Sequence, residues 1–207
     1  MIELHTSATA NGFKASIMLE ECGLEYRVQR YDLASRQNFA PEYLALNPVA
    51  RIPTIVDHDA AGGRRAVVYG TQAVLQYLAE KTGRFLPTDP VDRAAVYMWT
   101  GVIASDVGPA YSGQFAFNVI AREQLPWAIE YYNRLVDRLL AALETQLSQN
   151  EYLAGREYTI ADIIAYPVAA TSARRYPGDL SAYPALAHWA DKVGLRPAVQ
   201  RGMKVPS

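Results

Sequence analysis

The sequence predicts an α/β domain, strands and helices sharing one sheet, followed by an all-helical domain. Three observations predict it. Residues 1–82 alternate strand-like and helix-like stretches. Residues 83–91, Gly-Arg-Phe-Leu-Pro-Thr-Asp-Pro-Val, carry two prolines and read as a linker. In residues 92–207 the β pattern disappears and a helical period takes over.

Each element follows from local signals. Ile2 to His5 alternates as a half-buried strand does. Asn11-Gly12 precedes a helix over Phe13 to Cys22 that stops at Gly23, with Asn11 as the expected N-cap. Tyr26 to Tyr31 alternates again as a second strand. A short helix over Pro41 to Leu46 starts on proline and ends before Asn47-Pro48. Ile52 to Asp57 and Ala66 to Tyr69 are β-rich runs around a turn cluster, Asp59 to Gly63, and read as an antiparallel hairpin. Thr71 to Lys81 is an amphipathic helix closed by Gly83. The order is therefore βαβ, short helix, ββ, α. Beyond the linker, helices are expected over Asp92 to Phe117, bent at Gly108-Pro109, over Pro126 to Gln149, from Thr159, and near Pro184.

Composition narrows the function. The 207 residues carry a formal net charge of −1, which gives the whole chain no pull toward nucleic acid or acidic membranes. No apolar run is long enough to span a bilayer, and Met1 to Thr6 lacks the order of a signal peptide, so a cytoplasmic location is expected. The single cysteine, Cys22, excludes an internal disulfide or Cys-x-x-Cys pair and is expected to be a buried apolar residue. Three scattered histidines (His5, His58, His188) argue against a metal site.

Three constellations carry chemistry. Ile52-Pro53 opens a strand, where proline, unable to donate to a ladder, is tolerated. A cis bond there would turn the Ile52 N–H and C=O outward, free to pair with an extended peptide. The loop Ser7-Ala8-Thr9-Ala10-Asn11-Gly12 joins the first strand to the first helix. A hydroxyl and backbone amides at a helix N-terminus favour a thiolate, which makes Thr9 and Asn11 candidate thiolate partners. A purely structural role, Asn11 capping the helix and Thr9 satisfying a loop amide, fits the spacing equally well. Thr159-Ile160-Ala161-Asp162 is a capping-box arrangement, and its purpose is structural.

These residues together resemble the cytosolic glutathione-transferase superfamily over nearly the whole chain. Leu46-Asn47-Pro48 with Arg51 to Asp57 is similar to its cis-proline block, Ala73 to Lys81 to its third helix, and Tyr158 to Asp162 to its capping box. Within the superfamily, Thr9 to Gly12, Leu19-Glu20-Glu21, Phe39-x-Pro41 to Leu44, Ile52 to His58 and Tyr77 to Gly83 resemble the bacterial nu-class proteins, glutathione-using disulfide-bond reductases, and their fungal nitrogen-regulatory relatives. The resemblance implies a thioredoxin-like first domain, glutathione as co-substrate, no metal, and a homodimer. It places the thiol-contacting residues on Thr9 and Asn11 and the peptide clamp on Ile52 and Pro53. Asn38, Arg51, Gly70 and Thr71 complete the implied glutathione-binding set.

The chain departs from the pattern at three positions. Where the family has Glu-Ser at the start of the third helix, this chain has Gly70-Thr71, keeping a hydroxyl and losing the acid that holds the γ-glutamyl amine. Asn38 stands for a glutamine, and Tyr131 for an arginine expected from the neighbouring subunit. The implied function is a glutathione-dependent disulfide-bond reductase. Conjugation of small apolar electrophiles, or a non-catalytic binding module, are the alternatives. Trp99, Tyr111, Phe115, Phe117 and Tyr166 line an apolar cleft in the first alternative and are ordinary core otherwise. Tyr131 and Tyr132 are expected as packing or dimer contacts, and Arg174-Arg175 as a solvated surface pair.

Overall fold

The computed structural model describes residues 1–172 and 180–206, so the expected Arg174-Arg175 pair lies outside the described residues. The chain forms two compact units, Met1–Leu86 with Gly194–Ser207, and Pro87–Val193.

The first unit runs β1 (Ile2–Thr6), α1 (Ala10–Cys22), β2 (Tyr26–Arg30), the short α2 (Pro41–Leu44), β3 (Thr54–Ala60), β4 (Arg64–Tyr69) and α3 (Thr71–Thr82). The sheet order is β2-β1-β3-β4, with β1 parallel to β2 and antiparallel to β3, and β3 antiparallel to β4. This mixed sheet is the thioredoxin-like arrangement expected from the element order. Leu4, Ile17, Met18, Leu19, Ile55, Val74, Leu75 and Leu78 are fully buried around it, at about 1.5–3 kcal/mol of transfer free energy for each large side chain. Gly23 and Gly83 end α1 and α3 in the left-handed region, as read from the sequence.

The helix start differs from the expectation. Helix α1 begins at Ala10, and its N-cap is Thr9, in extended conformation, rather than Asn11. Close packing fixes this choice. A Cβ on Gly12 would lie 2.0 Å from the Ser7 carbonyl oxygen and 2.5 Å from Thr6 Oγ1, so only glycine lets the first turn settle onto the end of β1. Strand β3 likewise starts at Thr54, leaving Ile52-Pro53 in the loop before it; that bond is cis.

The second unit contains α4 (Pro90–Val102), α5 (Gly108–Phe115), α6 (Pro126–Leu147), α7 (Ile160–Tyr166) and most of α8 (Pro184–Gly194). Helix α4 opens inside the expected linker because Asp89 caps it, accepting from the Val91 and Asp92 amides. Before Gly108-Pro109 the helix widens into a π-helical turn, Ile103–Val107, which accommodates a proline that cannot donate within the helix. Thr159 and Asp162 form the expected capping box at α7. Asp162, wholly buried, also accepts from the Leu153 amide at 3.0 Å and the Trp189 indole at 2.9 Å.

The last helix, α9 (Pro197–Gly202), belongs to the first unit and packs on α1. Ser16 Oγ donates to the Gly202 carbonyl at 2.7 Å, and a Cβ on Gly202 would strike Ile17 Cα at 2.5 Å. Arg196 grips Glu21 through Nε at 2.6 Å and a second nitrogen at 2.9 Å, and Arg201 pairs with Glu20 at 2.6 Å. Among the helices of the described residues, none is long and apolar enough to cross a membrane.

Candidate active site

Strand register gathers the candidate residues at one end of the sheet. His5 stands opposite Thr54, Thr54 opposite Tyr69, and Thr6 beside Arg30. The loop leaving β1, the Ile52-Pro53 turn entering β3 and the Gly70-Thr71 start of α3 therefore emerge side by side. The Gly70 amide donates to the Pro53 carbonyl at 3.3 Å, tying α3 to the cis-proline turn.

Two side-chain hydrogen bonds order the first loop and the start of α1. Thr9 Oγ1 accepts from the Gly12 amide at 3.2 Å, which occupies one of its lone pairs and leaves its O–H to donate. Asn11 is exposed, and its Oδ1 accepts from Lys14 Nζ at 2.9 Å, leaving its NH2 group to donate. Lys14 was not among the residues singled out from the sequence. It is 1% exposed, and burial pushes its ammonium down to about 7. The signal was present: Lys14 lies three and four residues before Ile17 and Met18, on the apolar face of α1.

The turn before β3 is held by side chains. Tyr43 Oη and Asn47 Nδ2 donate to the Arg51 carbonyl at 2.7 and 2.6 Å, and both contact Thr54 Oγ1. Ala50 is left-handed at φ 56° and is fixed by its own amide bonding to Asn47 and by Asn38 Nδ2 donating to its carbonyl at 2.6 Å. Asn38 is thus turned into the protein, 8% exposed, and its buried Oδ1 has no hydrogen-bond partner among the described residues. Arg51 keeps an exposed side chain on this pinned backbone. Among the described residues no side chain caps α3, which leaves its first amides without a side-chain acceptor at a helix start that carries Thr71, an arrangement suited to a carboxylate.

The remaining candidates disperse within the helical unit. Tyr111 is buried, Phe115 is half exposed, Phe117 stacks on Tyr132 with ring centroids 5.3 Å apart, and Tyr166 meets Trp189 at 6.2 Å. Tyr131 stacks on the exposed Trp127 at 5.5 Å. Cys22 is half buried, its Sγ 3.5 Å from Thr82 Oγ1, and burial pushes its thiol up, away from nucleophilic use.

Family models for the glutathione S-transferase N-terminal and C-terminal domains match residues 10–81 and 115–197. Over 205 residues the chain is 38% identical to the disulfide-bond oxidoreductase YfcG of Escherichia coli, covering 98% of this chain and 94% of that one. The chain belongs to the glutathione S-transferase family. Among solved members, a Pseudomonas putida glutathione transferase with one glutathione disulfide bound per subunit superposes with a TM-score of 0.93 at 30% identity, over 100% of this chain and 92% of that one. A Burkholderia graminis glutathione transferase with two glutathione molecules bound per subunit gives a TM-score of 0.94 at 30% identity, over 100% and 88%. Among the described residues no group of three or more His, Cys, Asp or Glu gathers as metal ligands would.

Proposed function

We propose that this protein is a glutathione-dependent disulfide-bond reductase. One observation carries the reading: beside the strand ends, Thr9 Oγ1 and Asn11 Oδ1 each accept a hydrogen bond, and among the described residues neither the Thr9 O–H nor the Asn11 NH2 group is spent on a partner. A thiolate is a pure acceptor, and such a pair favours it over the thiol. The absence of a cysteine from this loop fits chemistry in which both reacting sulfurs are brought by ligands.

The backbone of Ile52 precedes the β3 ladder, and its N–H and C=O enter no backbone pairing among the described residues. They are placed to pair with the cysteinyl unit of glutathione by strand addition. The uncapped start of α3 with Thr71 receives the γ-glutamyl carboxylate, Arg51 offers a cation to the other end, and Asn38 Oδ1 offers a buried acceptor. The glutathione thiolate then attacks one sulfur of a disulfide. A mixed disulfide forms and the other sulfur leaves as a thiolate. A second glutathione thiolate attacks the mixed disulfide, giving glutathione disulfide and a second substrate thiol; the two electrons come from the two glutathiones. The oxidoreductase relative and the solved relatives carrying two glutathiones or glutathione disulfide support this stoichiometry.

Thr9→Ala should lower kcat/KM for a small model disulfide about 10–100-fold, the worth of one charge-assisted hydrogen bond of about 1.5–3 kcal/mol, with the fold unchanged. Steady-state turnover with glutathione at neutral pH checks this. Wild-type turnover absent, with glutathione still bound, points instead to conjugation of apolar electrophiles. Failure of glutathione and its disulfide to stabilise the wild type at millimolar concentration rejects the reading.

Gly70→Glu tests the departure at the γ-glutamyl end. Gly70 sits at φ 87°, ψ 131°, where a side chain is strained although a Cβ there would meet nothing within 4 Å. The substitution should cost about 1–2 kcal/mol of stability. It should also tighten glutathione about tenfold by giving the ligand's ammonium a carboxylate. Thermal unfolding and calorimetric titration read the two effects separately.

A further inference from the structure

We propose that Lys14 is a positioning residue of the thiol site: its buried ammonium anchors the Asn11 amide oxygen and so commits the Asn11 NH2 group to a bound sulfur. The inference rests on the reading of Asn11 as a thiolate partner given above.

An exposed asparagine at the second position of a helix is free to rotate, and either end of its amide can face a ligand. Presented oxygen-first, it would repel a thiolate. As an ammonium, lysine has three donors and no acceptor, so the atom facing Nζ at 2.9 Å in the charged form is the oxygen, and the nitrogen points elsewhere. Lys14 and Asn11 are three residues apart on α1, which places them on adjoining turns. The lysine itself cannot swing away, being 1% exposed among the packed residues of α1.

Among the described residues the ammonium is otherwise unengaged. Asn11 is the one hydrogen-bond acceptor it meets among the described residues. The acids of its own helix, Glu20 and Glu21, are held by Arg201 and Arg196 of the C-terminal segment packed on α1. Burial alone shifts its protonation, with no charged group of α3, α9 or β1 acting on it. A buried cation with one neutral partner is a costly arrangement, of the kind found where a site needs an oriented group. While it is protonated, its charge also polarises the Asn11 amide, strengthening the N–H as a donor.

The test compares wild type, Asn11→Ala, Lys14→Met and Lys14→Gln, and the double variant Asn11→Ala with Lys14→Met. Each is assayed with glutathione and a model disulfide across a pH series, and bound glutathione thiolate is followed by its ultraviolet difference absorbance. Lys14→Met should lower kcat/KM about tenfold and move the acidic limb of the profile up by about one pH unit. KM for glutathione should stay within about twofold. Lys14→Gln, which keeps an N–H for the Asn11 oxygen, should recover most of the rate. The double variant should be no worse than Asn11→Ala alone, since the lysine acts through the asparagine. If Lys14→Met does not fold, Lys14→Leu gives the same comparison.

A wild-type rate and pH profile in Lys14→Met, or a loss that adds in full to that of Asn11→Ala, overturns the proposal. If Asn11→Ala itself leaves rate and thiolate signal intact, the asparagine's role in the parent reading fails, and that result is distinct from the first two.

Discussion

Asp162→Ala should destabilise the helical unit by about 3–5 kcal/mol, the largest single-site loss expected in the chain. The carboxylate is wholly buried and accepts four hydrogen bonds, from the Leu153 amide at 3.0 Å, the Thr159 amide at 3.0 Å, the Thr159 hydroxyl at 3.3 Å and the Trp189 indole at 2.9 Å. Alanine would leave these donors without a partner where water has little access, each costing about 1–3 kcal/mol before relaxation. The same atoms tie three parts of the fold: the segment before α7, the N-terminus of α7, and α8 through its indole. Asp162→Asn keeps the volume but turns an NH2 group toward donors, so an intermediate loss is expected. Thr159→Ala removes two longer contacts of 3.3 Å, the Ala161 amide bond and the hydroxyl bond to Asp162, and should cost only about 1–2 kcal/mol. Urea unfolding of the three variants reads the order. An Asp162→Ala variant within about 1 kcal/mol of wild type would show that the network contributes little.

Lys14→Met should have the opposite sign and stabilise the protein. Burial pushes the Lys14 ammonium from an ordinary value of 10.5 down to about 7. The unfolded chain keeps this proton up to about 10.5, whereas the native chain releases it near 7. Across that window the unfolded state holds the extra proton, so native stability rises with pH. Below about 7 both states are charged and the full penalty is present, on the order of 4–5 kcal/mol by linkage. Methionine fills a similar volume without a charge, so at pH 7 a net gain of about 2–4 kcal/mol is expected after the lost Asn11 contact is deducted. The wild type should close that gap as pH rises toward 10. Paired urea unfolding at pH 6, 8 and 9.5 measures the difference between the two proteins, which cancels the other titrating groups. A difference that does not shrink with pH would show that Lys14 stays charged in the native state. A gain in stability alongside a loss of thiol reactivity would mark Lys14 as a residue whose cost is tied to the site.

Much of the first unit was legible because its signals are local. Gly23 and Gly83 stop helices wherever the chain supplies them, and both adopt the left-handed backbone that a terminating residue needs. The capping box at Thr159 and Asp162 depends on three residues of separation and nothing else. The candidate site was readable for a related reason: its loop, turn and helix start lie at strand ends, and strand order follows from the alternation of elements.

What went unread depended on distant partners. Thr9 and Asn11 are both good caps, and the choice fell to Thr9 because Gly12 comes against Ser7 and Thr6 at the end of β1. Asn38 is placed in the implied set by resemblance, yet its amide closes on Ala50, twelve residues away, because the left-handed turn there needs a donor for its carbonyl. The all-helical domain was expected to run over residues 92–207, whereas the contacts group residues 194–207 with the first unit. Ser16, Glu20 and Glu21 hold that return more than 170 positions along the chain.

The sequence by itself determined the order of elements, where most helices stop, and which residues stand at the strand ends, since these rest on propensity, spacing and chain direction. Spacing puts Lys14 on the apolar face of α1, but tertiary structure decided how completely it is buried and that, among the described residues, the acceptor its ammonium meets is Asn11 Oδ1. A lysine's charge state and partner depend on what excludes water around it, and that is set by helices packed from opposite ends of the chain.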